Sequence, residues 1–375
     1  MSRVLYLSPG VFDKGGISRY ARYQIRALRA LLGDEAVRVL SLLPPDARAL
    51  EEPLAVDFAS FGLSRAGKSL FVAAAMAAAL ERRPKIVWSA HIHLAPLALT
   101  IARALGAKAV LNTYAAELWT HLTRVRREAL GRVDRVISDC ENSRRYMADN
   151  GLRAAERVVV HWDCVDLDRF APGDPGDVLA RHGVPPSDEL TILTLGRMTE
   201  RTEYKGYGRL LTVLASLPRE ARVRVVMGGD GEQRPVLAAQ ARALGLEGRV
   251  FFTGSVHERD LADLYRAGDV FSLVTSAGLG MGEGIPLTPL EAAASGKPIL
   301  VGDQDGSHEA VEDGVTGFVV PTFDPAAHAD RILRLVHDRE LRARMGAAGR
   351  ARMEREHGFP RFQSRVGEVL ASLGG

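Results

Sequence analysis

The chain has 375 residues, which at roughly 150 residues per domain favours two domains. Hydrophobic residues make up 46% and charged residues 25%, a composition typical of a folded globular protein and not of a disordered one. The formal net charge of +3 gives no reason to expect a nucleic-acid partner. The two cysteines, Cys140 and Cys164, provide neither a zinc ligand set nor a disulfide framework, so we interpret both as packing residues in a reducing compartment.

No targeting or membrane-spanning segment is expected. The N-terminal sequence MSRVLYLSPG enters a strand-like stretch directly, which favours a cytoplasmic location. The longest apolar run, residues 69–80, is too short to span a bilayer. Peripheral contact with the inner face of a membrane is one interpretation of a basic helix further along the chain, and a solvated helix face is the other. The basic residues of that helix and the following strand are Arg124, Arg126, Arg127, Arg132 and Arg135.

The first half of the chain alternates short apolar segments with helix-length amphipathic ones. Six segments are rich in β-branched or apolar residues: VLYLS, VRVLSLL, KIVWSA, KAVLNTY, RVISD and RVVVHW. Helical spacing of apolar residues occurs between most of them, including residues 17–32 and 69–83. This alternation predicts a parallel sheet with helices on both faces, an α/β domain over residues 1–170.

Proline and glycine interrupt the pattern at APGDPGD and near VPPSDE, which predicts a linker over residues 171–189. Six further strand-like segments follow: TILTLGR, RVRVVMGGDG, RVFFTGS, DVFSLVTS, KPILVGD and GFVVP. We therefore expect a second α/β domain over residues 190–355. Residues 325–375 show helical spacing broken at HGFP, which predicts two helices. For the second of these, residues 356–375, packing back on the first domain is one option.

In each predicted domain, the loop after the first strand carries residues that could bind a ligand. Ligands of open α/β sheets gather at the carboxyl ends of strands, so two facing domains would line a cleft with such loops. Gly15 and Gly16 follow VLYLS, where backbone without side chains can approach a phosphate, and a plain turn is the alternative. Arg197 and Lys205 follow TILTLG and can neutralise a diphosphate, with ordinary surface cations as the alternative.

The densest signal is the segment SAGLGMGEGIPLTPLEAAASGKP. It places Glu283 in a glycine-rich turn and Glu291 in the first turns of the next helix. Alone, two glutamates at this spacing are a weak pattern, for which a solvated helix face is the alternative. Backbone amides near a helix start can bind a phosphate, because they are unpaired and the helix macrodipole is positive there. Here these amides belong to Gly284, Ile285, Leu287 and Thr288.

Together and in this order, these segments resemble the family-4 retaining glycosyltransferases of GT-B architecture. The resemblance continues in VVVHWDCVDLDRFAP, VVMGGDGEQRPVL and LEGRVFFTGSV, and in DQDGSHEAVEDGVTGFVVP with Glu309 in the G-x-x-E position. It implies a GT-B fold of two facing Rossmann-like domains with an interdomain cleft. It also implies an enzyme that moves a hexose, with retention, from a nucleoside-diphosphate sugar to a saccharide, lipid-linked or small-molecule acceptor.

The resemblance further implies residue roles. Arg197 and Lys205 would stabilise the leaving diphosphate, Glu283 would contact the donor sugar, and Glu291 would hold the ribose. The amides after Glu283 and the glycine loop after the first strand would complete the donor site. No obligatory metal or other cofactor is implied, because the two cations take the place of a metal.

One segment departs from the family pattern. Many relatives carry histidine in an H-G-x-E segment, whereas the matching segment here is TYAAELW, with Tyr114 in the histidine position and Glu117 retained. His91 and His93, at the end of the preceding strand, are candidates to replace it, with core or loop histidines as the alternative. These four residues are the acceptor-side candidates, and neither the donor base, the sugar nor the acceptor can be read from the sequence.

Other patterns indicate other functions. GLSRAGKS, Gly62 to Ser69, matches the P-loop consensus of an ATPase or kinase, although the preceding LAVDFASF is a poor strand. GGDG resembles a dinucleotide fingerprint, but Arg234 stands where the third glycine belongs. Asp303 and Asp305 form a D-x-D that would bind manganese in another transferase architecture, whereas their loop position favours capping or hydrogen bonding. A non-catalytic sugar-nucleotide-binding protein is the remaining alternative.

Overall fold

The computed structural model describes residues 3–12, 15–44, 54–57, 61–278 and 281–374. The chain divides into two compact units. The first comprises the chain up to Cys164 together with the segment from Phe359 onward, and the second runs from Val165 to Gly358.

Strands and helices alternate through both units. The strands are β1 (Val4–Ser8), β2 (Val37–Ser41), β3 (Ile86–Ser89), β4 (Lys108–Thr113), β5 (Arg135–Ser138), β6 (Val158–Val160), β7 (Leu190–Leu195), β8 (Val223–Gly228), β9 (Val250–Gly254), β10 (Val270–Leu273), β11 (Ile299–Gly302) and β12 (Gly317–Val320). The helices are α1 (Gly16–Leu32), α2 (Arg65–Arg82), α3 (Ala95–Leu105), α4 (Ala115–Trp119), α5 (Arg124–Arg132), α6 (Glu141–Asp149), α7 (Val178–Arg181), α8 (Tyr207–Ser216), α9 (Arg234–Ala243), α10 (Glu258–Ala267), α11 (Leu287–Ala294), α12 (Pro325–His337), α13 (Arg339–Glu356) and α14 (Phe359–Ser372).

Each unit contains one six-stranded parallel sheet. The strand order is β2-β1-β3-β4-β5-β6 in the first unit and β12-β11-β10-β7-β8-β9 in the second. The second sheet has the Rossmann strand order, and its winding direction reverses between β7 and β10. In the first sheet the winding direction reverses between β1 and β3. The predicted two-domain α/β fold is therefore confirmed, and all twelve predicted strand segments form strands.

The last helix returns to the first unit. α14 packs against α1, and the ring of Phe362 lies edge-to-face on Tyr20 with centroids 5.4 Å apart. Phe362 and Val366 are both fully buried in this core. The carbonyl oxygen of Phe362 lies 3.2 Å from Nε2 of His161, near the end of the same unit's last strand. Apolar burial and this polar contact thus tie the end of the chain to the first sheet.

The junction of the units differs from the predicted boundary. The predicted first domain ends at residue 170, whereas the first unit ends at Cys164. The amide of Val165 donates to the carbonyl of His357 at 2.9 Å, and Arg350 donates to the carbonyl of Phe170 at 2.7 Å. These bonds attach the intervening segment to α13 and its end, within the second unit. The predicted linker also contains a short helix, α7.

The C-terminal segment contains three helices, so the prediction of two was wrong. α12 ends at His337, and Asp338 has the non-helical angles φ −118° and ψ 90°. Its carboxylate accepts a hydrogen bond of 2.7 Å from the amide of Leu341 in the first turn of α13. An aspartate that caps a new helix breaks the pattern, although apolar spacing continues across it.

α2 begins earlier than the periodicity predicts. Its first residue is Arg65, because the hydroxyl of Ser64 accepts a hydrogen bond from the amide of Gly67 at 3.0 Å and caps the helix. The predicted start was at residue 69. Within the described part of the chain, neither α2 nor any other helix has the length and hydropathy needed to cross a bilayer.

Candidate donor and acceptor sites

The strongest candidate site lies at the switch point of the second sheet. β7 and β10 pair in parallel there, with Ile192 opposite Val270, so their carboxyl ends share one edge of the sheet. Arg197 and Lys205 follow β7, and Glu283 follows β10. Ligands of doubly wound sheets bind outside this edge. The fold therefore brings together three predicted residues from two separate sequence segments.

Glycines hold the loop after β7 in place. Gly196 has φ +155°, and its amide donates to the carbonyl of Gly228 at 3.0 Å. A Cβ at Gly229 would lie 1.9 Å from the carbonyl oxygen of Gly196, and a Cβ at Gly231 would lie 2.2 Å from that of Met198. Any side chain at either position would push the two loops apart. The GGDG motif thus serves the packing of the β7 and β8 loops, which accounts for its glycines without a dinucleotide.

Lys205 and Glu283 form the central ion pair, with Nζ and Oε1 2.6 Å apart. The hydroxyl of Tyr204 donates to the same carboxylate oxygen at 3.0 Å. The two charged side chains are only 13% and 21% exposed, so water screens their attraction less than at an open surface. Burial, and then the negative charge of Glu283, raise the pKa of Tyr204. Its hydroxyl therefore remains a neutral donor to Glu283.

Arg197 is positioned through its backbone. Its carbonyl accepts a hydrogen bond of 2.8 Å from the hydroxyl of the buried Thr202. Its side chain is exposed and makes no hydrogen bond or ion pair with any residue that the structure describes. Its positive charge is close enough to Tyr204 to favour the ionised form of that phenol. The guanidinium group is thus available to an anion beside the Lys205–Glu283 pair.

The start of α11 offers unpaired backbone donors. The amides of Gly284, Ile285, Leu287 and Thr288 donate to none of the described residues. The hydroxyl of Thr288 is also buried without a partner among them. Pro286 is the N-cap, so its missing N–H costs no hydrogen bond. Amides at a helix start, aided by the macrodipole, can bind an anionic group.

Asp305 supports Glu283, a contact that the sequence analysis missed. Its carboxylate accepts from the amide of Glu283 at 2.8 Å, the hydroxyl of Thr275 at 2.9 Å and the amide of Ser307 at 3.0 Å. Burial raises the pKa of Asp305, and these donated bonds act in the opposite direction. The sequence places Thr275 and Asp305 after two strand segments, and only the structure shows that these strands, β10 and β11, are adjacent and parallel.

The two aspartates of the D-x-D motif have separate surroundings. Asp305 is fully buried, whereas Asp303 is exposed and accepts from the amide of Thr322 at 3.0 Å. Over the described residues, no group of three or more His, Cys, Asp or Glu side chains is arranged to hold a metal ion. Asp305 therefore joins its loop to the loop after β10, and Asp303 joins it to the segment after β12.

Glu291 lies on α11 and is only 2% exposed. Its carboxylate accepts a hydrogen bond of 2.7 Å from the hydroxyl of Tyr265, which is buried on α10. This tyrosine was not predicted, and its place on the apolar face of α10 gave no signal beyond packing. The bond fixes the carboxylate one turn behind the unpaired amides of α11.

The acceptor-side candidates lie together in the first unit. His91 Nε2 is 2.7 Å from Glu117 Oε2, and Glu117 Oε1 accepts from the amide of Tyr114 at 3.0 Å. The rings of His91 and His93 have centroids 4.5 Å apart. Partial burial, and then the positive charge of neighbouring basic side chains, lower the pKa of His93 to about 4. Tyr114 is only 7% exposed and packs in the core, so His91 is the more accessible partner of Glu117.

The glycine loop of the first unit leads into α1. Gly15 is the N-cap and Gly16 the first helical residue, and both are exposed. Gly15 has φ −68°, so left-handed backbone does not explain this glycine. The two residues before it, 13 and 14, lie outside the described residues.

The P-loop interpretation does not fit the structure. α2 begins at Arg65, inside the motif, so Gly67 and Lys68 already lie in the helix. A Cβ at Gly67 would lie 1.9 Å from the carbonyl oxygen of Phe61, so close packing explains this glycine. No described strand leads directly into the motif, whereas a phosphate-binding loop of this class joins a strand to a helix.

Comparison with known proteins identifies the family. The family described as Glycosyl transferases group 1 matches residues 179–352, and the Glycosyl transferase 4-like domain matches residues 15–162. The chain is 32% identical over 266 residues to the GDP-mannose-dependent alpha-(1-6)-phosphatidylinositol monomannoside mannosyltransferase of Mycobacterium tuberculosis, covering 68% of each protein. It is 36% identical over 207 residues to the D-inositol 3-phosphate glycosyltransferase of Xylanimonas cellulosilytica, covering 53% of this chain and 48% of that protein.

A solved structure shows the same fold. The complex of Anabaena HepE with UDP superposes with a TM-score of 0.81 at 21% identity, over 99% of this chain and 100% of that one. The chain therefore belongs to the glycosyl transferases group 1 family and is a glycosyltransferase with the GT-B fold.

Proposed function

We propose that this glycosyltransferase moves a hexose from a nucleoside-diphosphate sugar to a saccharide, lipid-linked or small-molecule acceptor. One observation carries the proposal: the Lys205–Glu283 pair lies at one sheet edge with the Arg197 guanidinium and the amides at the start of α11, which have no partner among the described residues. Two cations and a row of N–H groups match a diphosphate, and a carboxylate beside them matches sugar hydroxyls. The family membership supports catalysis over simple binding.

The names of related proteins support the donor and acceptor classes. The mycobacterial relative is named as GDP-mannose-dependent and as acting on a phosphatidylinositol monomannoside. HepE has been crystallised with UDP and with UDP-glucose. A hexosyl nucleotide as donor is thus consistent with both. A lipid-linked or inositol-type acceptor is consistent with the relative's name.

The proposed reaction breaks the bond between the anomeric carbon and a phosphate oxygen. The leaving diphosphate gains negative charge as this bond breaks, and Arg197 and Lys205 stabilise it. The acceptor hydroxyl attacks from the face that the diphosphate leaves, giving retention, and its proton passes to the departing phosphate oxygen. Glu283 holds donor sugar hydroxyls, and Lys205 and Tyr204 hold Glu283. No metal takes part in this scheme.

Three further groups complete the proposal. Glu291, fixed by Tyr265, holds the ribose hydroxyls. His91, paired with Glu117, takes the acceptor-side place that histidine has in many relatives, because Tyr114 is committed to packing. The glycine loop of Gly15 and Gly16 lies in the first unit and is proposed to approach the phosphates. Neither cysteine forms a disulfide and both are buried, which is compatible with a reducing, cytoplasmic setting.

The cations are tested by truncation. Arg197→Ala and Lys205→Ala should each lower kcat roughly 10²–10³-fold, because each removes a charge that stabilises the leaving group. Arg201→Ala is the matched control, since Arg201 is exposed in the same loop and has no partner among the described residues. Its kcat should change less than about twofold. Equal losses in all three variants, or no loss in the first two, would contradict the assignment.

Substitutions of Glu283 and Glu291 should have different effects on kcat and KM. Glu291→Gln should weaken binding of donor and free nucleoside diphosphate and raise KM with a smaller effect on kcat, because ribose contacts do not change during reaction. Glu283→Gln should lower kcat and leave diphosphate affinity nearly intact, because the sugar gains positive charge in the transition state. Tyr265→Phe should resemble a mild form of Glu291→Gln. Calorimetry with the nucleoside diphosphate and steady-state kinetics on these variants test the assignment. A larger loss of diphosphate affinity in Glu283→Gln than in Glu291→Gln would contradict the proposed roles.

The D-x-D pair offers a test of positioning against metal binding. In Asp305→Asn, an amide NH₂ replaces one acceptor oxygen, so a buried donor loses its partner at a cost of about 1–3 kcal/mol. The Glu283 backbone should shift and kcat fall at least about tenfold. Asp303→Asn keeps its acceptor oxygen for Thr322 and should stay within about twofold of wild type. A manganese site would instead need both carboxylates, so equal, manganese-dependent losses would favour it.

A further inference from the structure

The outer face of α2 is apolar where it faces solvent. Four large side chains on this helix are well exposed: Leu70 61%, Val72 41%, Met76 47% and Leu80 68%. Ala73 and Ala77 are exposed between them. Single exposed hydrophobic residues are ordinary, but a contiguous exposed patch marks an interaction surface. We call this set of six residues the α2 face.

Helical geometry makes the α2 face continuous. Residues 70, 73, 77 and 80 follow one another at helical spacing, and Val72 and Met76 lie beside them. The opposite side of the helix, with Phe71, Ala75 and Ala78, is buried in the core of the first unit. No charged residue occurs between residues 69 and 80. The helix is therefore apolar on both sides for about three turns, although only one side is covered by the unit's core.

Basic residues surround the ends of the α2 face. Arg65 and Lys68 precede it and are exposed, and Arg82 and Arg83 follow it. Glu81, next to Arg82 with 3.4 Å between their charged groups, is the one carboxylate of the helix. Four cations against one carboxylate give the rim of this apolar surface a positive charge.

α5 carries further basic residues of the first unit. It contacts the turn Ile92–Leu94, which contains His93. On the same helix Arg124 and Arg127 are exposed, and Val125 is 60% exposed. Glu128 is the acidic residue of α5, and it pairs with Arg132 at 3.1 Å. The basic helix noted in the sequence therefore adds exposed cations to the same unit that carries the α2 face.

We propose that the α2 face and its basic rim bind the surface of an anionic lipid bilayer. Apolar side chains would enter the boundary between headgroups and acyl chains, and the lysine and arginine side chains would contact lipid phosphates, as in interfacial amphipathic helices. The interaction adds a membrane-docking surface to the first unit and does not depend on the proposed donor chemistry. It would bring His91 and His93 close to a lipid-linked acceptor.

Charge argues against a second copy of the chain as the occupant. A two-fold dimer through α2 would pack the helices face to face with self-complementary contacts. In the antiparallel arrangement, Arg65 and Lys68 of one copy would meet Arg82 and Arg83 of the other, with Glu81 as the single compensating charge. Like charges so placed repel. An anionic lipid surface would instead attract all of these basic side chains.

Vesicle sedimentation tests the proposal with the full chain. Wild type should bind vesicles of phosphatidylcholine with 30% phosphatidylglycerol, and bind pure phosphatidylcholine at least tenfold more weakly. The variant Leu70→Glu/Met76→Glu/Leu80→Glu should lose at least tenfold in affinity for the anionic vesicles. Val236→Glu is the matched control, since Val236 is 56% exposed on α9 in the other unit, and it should bind as wild type does.

A labelling experiment keeps the test independent of the triple variant's folding. Met76→Cys carrying an environment-sensitive fluorophore should shift to the blue on anionic vesicles, and a Val236→Cys label should not. Cys140 and Cys164 are buried, so the introduced thiol is the reactive one among the described residues. Absence of anionic-vesicle binding, equal binding by the triple variant, or a blue shift on self-association without lipid would overturn the proposal.

Discussion

The ion pair between Lys205 and Glu283 is the interaction on which the candidate donor site depends. It joins the loop after β7 to the loop after β10, two segments that meet because their strands are neighbours at the switch point of the sheet. Both partners are mostly buried, so removal of either would leave the other charge without compensation. The pair also holds Lys205 beside Arg197 and keeps the Glu283 carboxylate next to the helix start. A diphosphate at this edge would meet two cations from the loop after β7 and backbone amides from the start of α11.

Two sets of backbone contacts keep this pair in place. Glycines of the β8 loop approach the β7 loop so closely that no side chain would fit, which fixes the backbone around Arg197. On the Glu283 side of the pair, the carboxylate of Asp305 accepts a hydrogen bond from the amide of Glu283. It also accepts hydrogen bonds from Thr275 and Ser307. The side chains that would meet the ligand are therefore positioned by residues that do not. Donor groups fixed before the substrate arrives require little reorganisation during reaction.

Much of this organisation could be predicted from the sequence. Short segments rich in β-branched or apolar residues predicted all twelve strands, and the order of the glycine, arginine, lysine and glutamate motifs indicated the family. What could not be read were contacts between separate elements, such as Asp305 with Glu283 and Tyr265 with Glu291, because they depend on which strands and helices become neighbours. Asp338 was missed for a different reason, since a capping residue outweighs apolar spacing that continues past it. The exposed face of α2 needed the structure, because the same apolar run also fits a buried helix.

The central claim is that cations and amides of the second unit bind the donor's diphosphate without a metal. Calorimetric titration of UDP, GDP, ADP and dTDP into the protein in excess EDTA tests it most directly. The account predicts that at least one nucleoside diphosphate binds under these conditions and that its affinity falls at least tenfold in Lys205→Ala. Binding that appears only when Mn²⁺ or Mg²⁺ is restored, and that is unchanged in Lys205→Ala, would contradict it.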